Sequence, residues 1–178
     1  MNKHRNIILF LVKFFVSYFV LVALYNGYLQ KSQQKTITYK TSTITTAVAE
    51  QTVKVLSMFG YDVSAVQHDK EMSVKLIIEG NYTARVIEGC NSVSLIILFV
   101  SFIIAFSASF KTTFMFAFLG SIFIYVVNVL RIAFLTVMIY KFPDQLGFLH
   151  DFIFPAIIYG AIFLLWVIWV HQFSKFKK

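Results

Sequence analysis

The chain has 178 residues, of which 58% are hydrophobic and only 13% charged, and its mean hydropathy is +0.75. A soluble domain wets its surface with about 25% charged residues, so this composition excludes one. The apolar content excludes disorder, and seven Gly and two Pro exclude collagen-like or linker-like chains. A membrane protein in contact with a lipid bilayer remains. The formal charge of +8 lies partly at the termini, in Lys3, Arg5, Lys175, Lys177 and Lys178. No stretch interleaves cations with aromatics as a nucleic-acid groove does, so no nucleic-acid partner is expected.

Residues 1–6 form a short polar N-terminus, followed by an apolar run over 7–29. That run is too long for a signal-peptide core and long enough for a membrane span of roughly 20 residues, and it predicts an uncleaved signal anchor. Lys13 lies close enough to the start to reach back to the headgroups. Residues 30–89 are polar and Thr-rich. Within them Ala47, Val48, Val55, Leu56 and Phe59 fall near helical spacing, with Gly60 placed to end a helix. Ser73 to Ile78 and Tyr82 to Ile87 are β-prone runs around Glu79-Gly80-Asn81, which predicts a hairpin leading into Cys90. The segment reads as a small α+β cap with little core of its own.

A second apolar run extends from Cys90 to about Phe110, a third from about Thr113 to Tyr140, and a fourth from Phe152 to Val170. The third would reach roughly 42 Å as a helix, so it must tilt strongly or project beyond the hydrocarbon. The predicted fold is an all-α polytopic membrane protein of four spans with the cap between the first and second. Its core is the three-helix region 90–170, followed by a basic tail over 171–178.

Cations in short segments set orientation. With the N-terminus inside, the inner side receives Lys3, Arg5, Lys111, Lys175, Lys177 and Lys178, and the outer loop between spans three and four carries only Lys141 near Asp144. The cap therefore faces the extracytoplasmic side. Its own cations count little, because segments that long translocate largely regardless of charge.

Polar groups in or beside spans need a reason to be there. Arg131 lies in the outer part of the third span, with Asn128 three residues earlier on nearly the same face and so able to share its cavity. Cys90 opens the second span, and His150 and Asp151 open the fourth. In this topology Cys90, Arg131 and His150 converge on one leaflet from three spans. A thiol is a strong nucleophile once a base takes its proton, which His150 can do. Attack on a peptide carbonyl creates an oxyanion, which the Arg131 guanidinium can stabilise. The plainer alternatives are a structural Cys, an interfacial His-Asp anchor, and an Arg that binds a lipid phosphate or a helix-end carbonyl. Asp151 either orients His150 or closes the helix N-terminus. No cofactor or metal site is expected: His4, His68, His150 and His171 are scattered over opposite sides, and the single Cys has no ligand partner at motif spacing.

These contexts resemble the exosortase/archaeosortase family of membrane cysteine transpeptidases. The resemblance rests on Glu88-Gly89-Cys90-Asn91-Ser92 at the start of a span, Asn128-x-x-Arg131 in the next, and His150-Asp151 at the start of the following one. It covers about Glu88 to Val170, and the short, Phe-rich chain is similar to compact F-type members. Two departures stand out: many members have about eight spans, and Asn91 occupies a position where Ser is frequent. The first leaves open whether one chain completes a site or a homo-oligomer does. The resemblance implies Cys90 as nucleophile, His150 as base and Arg131 as transition-state stabiliser, in a bacterial inner membrane with the site facing outward. It also implies a substrate, the C-terminal tail of secreted, membrane-tethered proteins, cleaved through a thioester. A different class, a non-enzymatic assembly or accessory subunit in envelope biogenesis, fits the same small multi-span layout. A transporter lacks ionisable steps across the bilayer.

Overall fold

The structure, a computed structural model, describes residues 2–35, 39–106, 109–145, 147 and 152–172. His150 and Asp151 lie outside the described residues, as does most of the basic tail. In chain order the elements are helix α1 (Asn2–Ser32), strands β1 (Gln34–Lys35) and β2 (Tyr39–Lys40), helix α2 (Thr43–Met58) and strands β3 (Val63–Gln67), β4 (Ser73–Ile78) and β5 (Asn81–Ile87). A 3-10 turn (Glu88–Cys90), α3 (Val93–Ala105), α4 (Phe110–Lys141), a second 3-10 turn (Pro143–Gln145) and α5 (Phe154–Gln172) follow.

Three helices, α1, α4 and α5, are long and apolar enough to cross a membrane. Their outward faces carry exposed large side chains such as Ile8, Phe19, Leu24, Phe114, Phe118 and Leu164, as suits surfaces solvated by lipid. The second apolar run is shorter as a helix than expected. α3 has 13 residues, about 20 Å against a hydrocarbon layer of roughly 30 Å. Both ends of the run go elsewhere: Cys90 to Ser92 make the turn that leads into α3, and Phe110 is already the first residue of α4. Ser109 caps α4, its Oγ accepting the Thr112 N–H at 3.3 Å.

The four apolar helices α1, α3, α4 and α5 alternate in direction. α3 runs back along α1 from the level of Tyr25, hydrogen-bonded to Asn91, to that of Phe10, whose ring meets those of Phe102 and Phe106 edge-on. α4 returns, and α5 runs back beside it until Trp169 meets Phe116 at 4.9 Å. The shared core of α3, α4 and α5 is Phe99, Ile103, Ile124, Ile158, Ile162 and Trp169. Gly120 lets α4 close on α3: a Cβ there would lie 2.4 Å from Phe99 Cζ.

The cap contains the expected helix and hairpin. α2 ends in a Schellman arrangement, with Gly60 at φ +86 and the Tyr61 N–H donating to Leu56 O at 3.3 Å. The β4–β5 turn, Glu79-Gly80, has both residues at positive φ, the signature of a two-residue type I′ hairpin. A third strand, β3, which the sequence reading did not anticipate, pairs antiparallel with β4, giving the order β3-β4-β5.

The buried face of this sheet and α2 pack on the far half of α4. Val48, Ala49, Val74, Leu76 and Val86 cluster with Val129 and Ile132, and Leu56, Val63 and Ile78 cluster with Ala133. This accounts for the length of α4. From Phe110 to Asn128 it spans roughly 28 Å beside the other helices, and from Val129 onward it is a wall of the cap. Arg131 is thus on the cap-packed part of the helix, away from the middle of the bundle.

Candidate active site

Cys90 is held at the junction where β5 ends and α3 begins. On one side of it the Glu88 carboxylate accepts hydrogen bonds from the Ser42 N–H at 2.8 Å, Ser42 Oγ at 2.9 Å and Thr45 Oγ1 at 2.6 Å, all at the N-terminus of α2. There the unpaired N–H groups and the helix dipole favour a negative charge. On the other side the Asn91 amide donates to Tyr25 OH at 2.8 Å and to Glu88 Oε2 at 3.0 Å, while its Oδ1 accepts the Val93 N–H that opens α3. Burial pushes the Glu88 carboxyl up, but the hydrogen bonds from Thr45, Ser42 and Gln33 together outweigh it and hold the group below its ordinary range.

A third tie comes from α4. The Asn128 side-chain amide donates to the Cys90 carbonyl oxygen at 2.8 Å. Asn128 is buried and is not part of the cleft wall, so it does not share Arg131's cavity as expected; it fixes the backbone of the thiol-bearing residue. Ser92 adopts φ 63, a left-handed conformation disfavoured for a side chain with a Cβ. It turns the chain from the sheet edge into α3 directly after this junction.

One cleft of about 810 Å³ opens beside these ties. Cys90 and Arg131 both line it, with β5 along one wall and Pro155, Ile158 and Tyr159 from the first turns of α5 along another. Arg131 shares the cleft wall with Cys90 and Tyr159, and its Nε is buried with no hydrogen-bond partner among the described residues. A guanidinium on a cleft wall with a thiol, with no carboxylate partner among the described residues, has donors to offer an oxygen of a bound molecule. His150 and Asp151 are not placed; they precede the first residue of α5 by four and three positions.

The sequence reading missed the Glu88 network. Its signals were an acid two residues before the Cys and Ser42-x-x-Thr45 opening a helix, but nothing local links residues 46 apart. Asn91, noted as a departure from Ser, has a structural use: a hydroxyl lacks both the two N–H donors and the separate acceptor that Asn91 provides here. Among the described residues no group of three His, Cys, Asp or Glu is placed to hold a metal ion.

Fold and site define a multi-pass membrane protein in which Cys90 and Arg131 line one cleft at one end of its helices. The chain matches the family model Transmembrane exosortase (Exosortase_EpsH) over residues 7–168, and it belongs to that family of membrane sorting proteases, which are cysteine-type transpeptidases. The match takes in α1 and the cap, which carry no diagnostic residue pattern. No curated protein and no solved structure matches the chain.

Proposed function

We propose that the chain is a compact, F-type exosortase that cleaves the C-terminal sorting signal of secreted, membrane-tethered proteins. The observation that carries this reading is the meeting of the Cys90 thiol and the unpartnered Arg131 guanidinium on one cleft in a chain of this family. α1, α3, α4 and α5 each cross the bilayer, α3 as the shortest of the four. The N-terminus is inside and the cap outside the cytoplasmic membrane, which the distribution of short-segment cations supports.

In this mechanism His150 takes the Cys90 proton, and the thiolate attacks the scissile carbonyl carbon. The resulting oxyanion is held by Arg131, which gains most as charge develops on the oxygen. Collapse breaks the C–N bond, and the leaving amine takes the proton back from His150. A Cys90 thioester remains and is resolved by an acceptor amine or by water, with His150 removing the proton of the incoming group and returning it to the thiol. Asn128 keeps the Cys90 backbone in register with Arg131, and Asp151 orients His150 or caps α5.

The deciding experiment replaces Cys90→Ala in the native strain and reads secreted tailed proteins by intact mass. Uncleaved, membrane-retained precursors should accumulate. Processing at the wild-type rate would remove Cys90 as nucleophile and favour an accessory, non-enzymatic subunit.

A further inference from the structure

We propose that the recognition segment of the substrate joins the cap sheet as an additional strand, parallel to β5, along the edge Ala84–Ile87. The proposal rests on the transpeptidase reading above and adds how the substrate is held.

β5 is an edge strand in the order β3-β4-β5, and no other strand pairs with it among the described residues. All six residues from Tyr82 to Ile87 line the cleft that contains Cys90. The ladder shifts register at Thr83, but from Ala84 to Ile87 it is regular, and successive residues there point to opposite faces of the sheet, so all four can border one cleft only if it runs along the strand's edge. The cleft therefore presents backbone as well as side chains.

The pairing register tells which backbone groups are free. Ser73 O accepts the His68 N–H at 2.9 Å, which turns the Ser73 backbone toward the β3 side. Its partner across the β4–β5 ladder, Ile87, is then in a non-hydrogen-bonded pair, and by the two-residue alternation of antiparallel pairing so is Arg85. The N–H and C=O of Arg85 and Ile87 point into the open edge. Edges are ordinarily blunted by Pro, charge, bulges or cover; β5 has no Pro, its bulge lies at Thr83, and past it the edge borders the reactive cleft.

Polarity follows from connectivity. β5 runs toward Cys90, three residues past Ile87, and the chain then continues into an apolar helix. A sorting signal has the same order: recognition segment, scissile bond, apolar helix. A substrate lying parallel to β5 brings its scissile carbonyl to Cys90 as its own helix enters the bilayer beside α3. Past the register shift at Thr83 the regular edge accommodates about four residues, or roughly 13 Å of extended chain. Of the two cations in the cleft wall Arg85 is paired with Glu71, which leaves Arg131 as the unpaired charge; no carboxylate lines the cleft, so the bound segment is uncharged or carries its acid near the scissile bond.

The probe is the set of precursors retained by a Cys90→Ala strain. Full-length Cys90→Ala chain is placed in lipid nanodiscs, with and without retained precursor, and amide hydrogen exchange is read residue by residue. The amides of Arg85 and Ile87 should slow at least tenfold with precursor, while Val86, already in the ladder, stays unchanged. Bound precursor that leaves Arg85 and Ile87 exchanging freely overturns the strand pairing and leaves the chemistry of Cys90 standing. Slow exchange of these amides before precursor is added also overturns it, since the chain itself then covers the edge. As a second measurement in cells, Arg85→Pro, which removes one outward N–H, should lower processing at least tenfold while Cys90 is alkylated at the wild-type rate. Wild-type processing by Arg85→Pro would equally refute the pairing.

Discussion

Asn128 Nδ2 lies 2.8 Å from the carbonyl oxygen of Cys90, so the residue that bears the thiol is fastened to the helix that bears Arg131, one turn away. The two groups of the cleft are positioned relative to each other by this bond more directly than by any contact between their own side chains. Asn128→Ala removes the donor to a buried carbonyl, which costs about 1–3 kcal/mol. The expected outcome is a lower Tm together with a loss of processing, and addition of a stabilising lipid should recover Tm before activity. Unchanged activity in the variant would show that the tie is structural only.

The Glu88 carboxylate makes the junction acid-sensitive. Its folded pKa is held below the ordinary glutamate value of about 4.3, so its contribution to stability is fully present above that value and is lost as the pH falls through the folded pKa. Thermal unfolding of the wild type should show a decline in Tm below about pH 4.3. Glu88→Gln should lower Tm at neutral pH and flatten that decline. An identical acid limb in the variant would mean that other carboxylates control it.

Close packing of α3 on α4 depends on Gly120. With a Cβ 2.4 Å from Phe99 Cζ and Phe99 fully buried, the ring has no room to retreat, and Gly120→Ala should destabilise by about 1–3 kcal/mol. Phe99→Leu should relieve part of the loss, so a double-mutant cycle in detergent would give a coupling of opposite sign to the single changes.

How much of this was legible in the sequence depends on the range of the interaction responsible. Long apolar runs declare α1, α4 and α5 because the bilayer acts on each segment separately. The hairpin was legible through Glu79-Gly80, since turn chemistry is local. β3 was not: Val63-Ser64-Ala65-Val66-Gln67 is short and weakly alternating, and it is a strand because β4 offers it a partner. The length of α4 signalled a projection without saying onto what; after Asn128 one face of it, Val129, Ile132 and Ala133, is the floor on which the cap packs. Cys90 and Arg131 stood out as polar exceptions in an apolar chain, and the fold brings them to one cleft. The partners that fix them, Tyr25, Ser42, Thr45 and Glu88, look ordinary in the sequence, because their use depends on contacts made across the fold.

Arg131 separates a catalytic from a structural guanidinium most cleanly. It has no carboxylate partner among the described residues, where the ion pairs are Lys75 with Asp69 and Arg85 with Glu71, and its Nε is buried without a hydrogen bond. Removing it breaks no ion pair, so Arg131→Ala should leave Tm unchanged or raised, unlike the loss of one half of a buried pair. If it stabilises the oxyanion, kcat for a tailed substrate should fall by about 10²–10³ with little change in KM. Arg131→Lys should recover only part of that, because an ammonium cannot reproduce the planar fork of donors. Both variants would be followed by single-turnover thioester formation, detected as a mass increment on Cys90. A fall in Tm with thioester formation at the wild-type rate would assign Arg131 to holding the helix or a lipid phosphate instead.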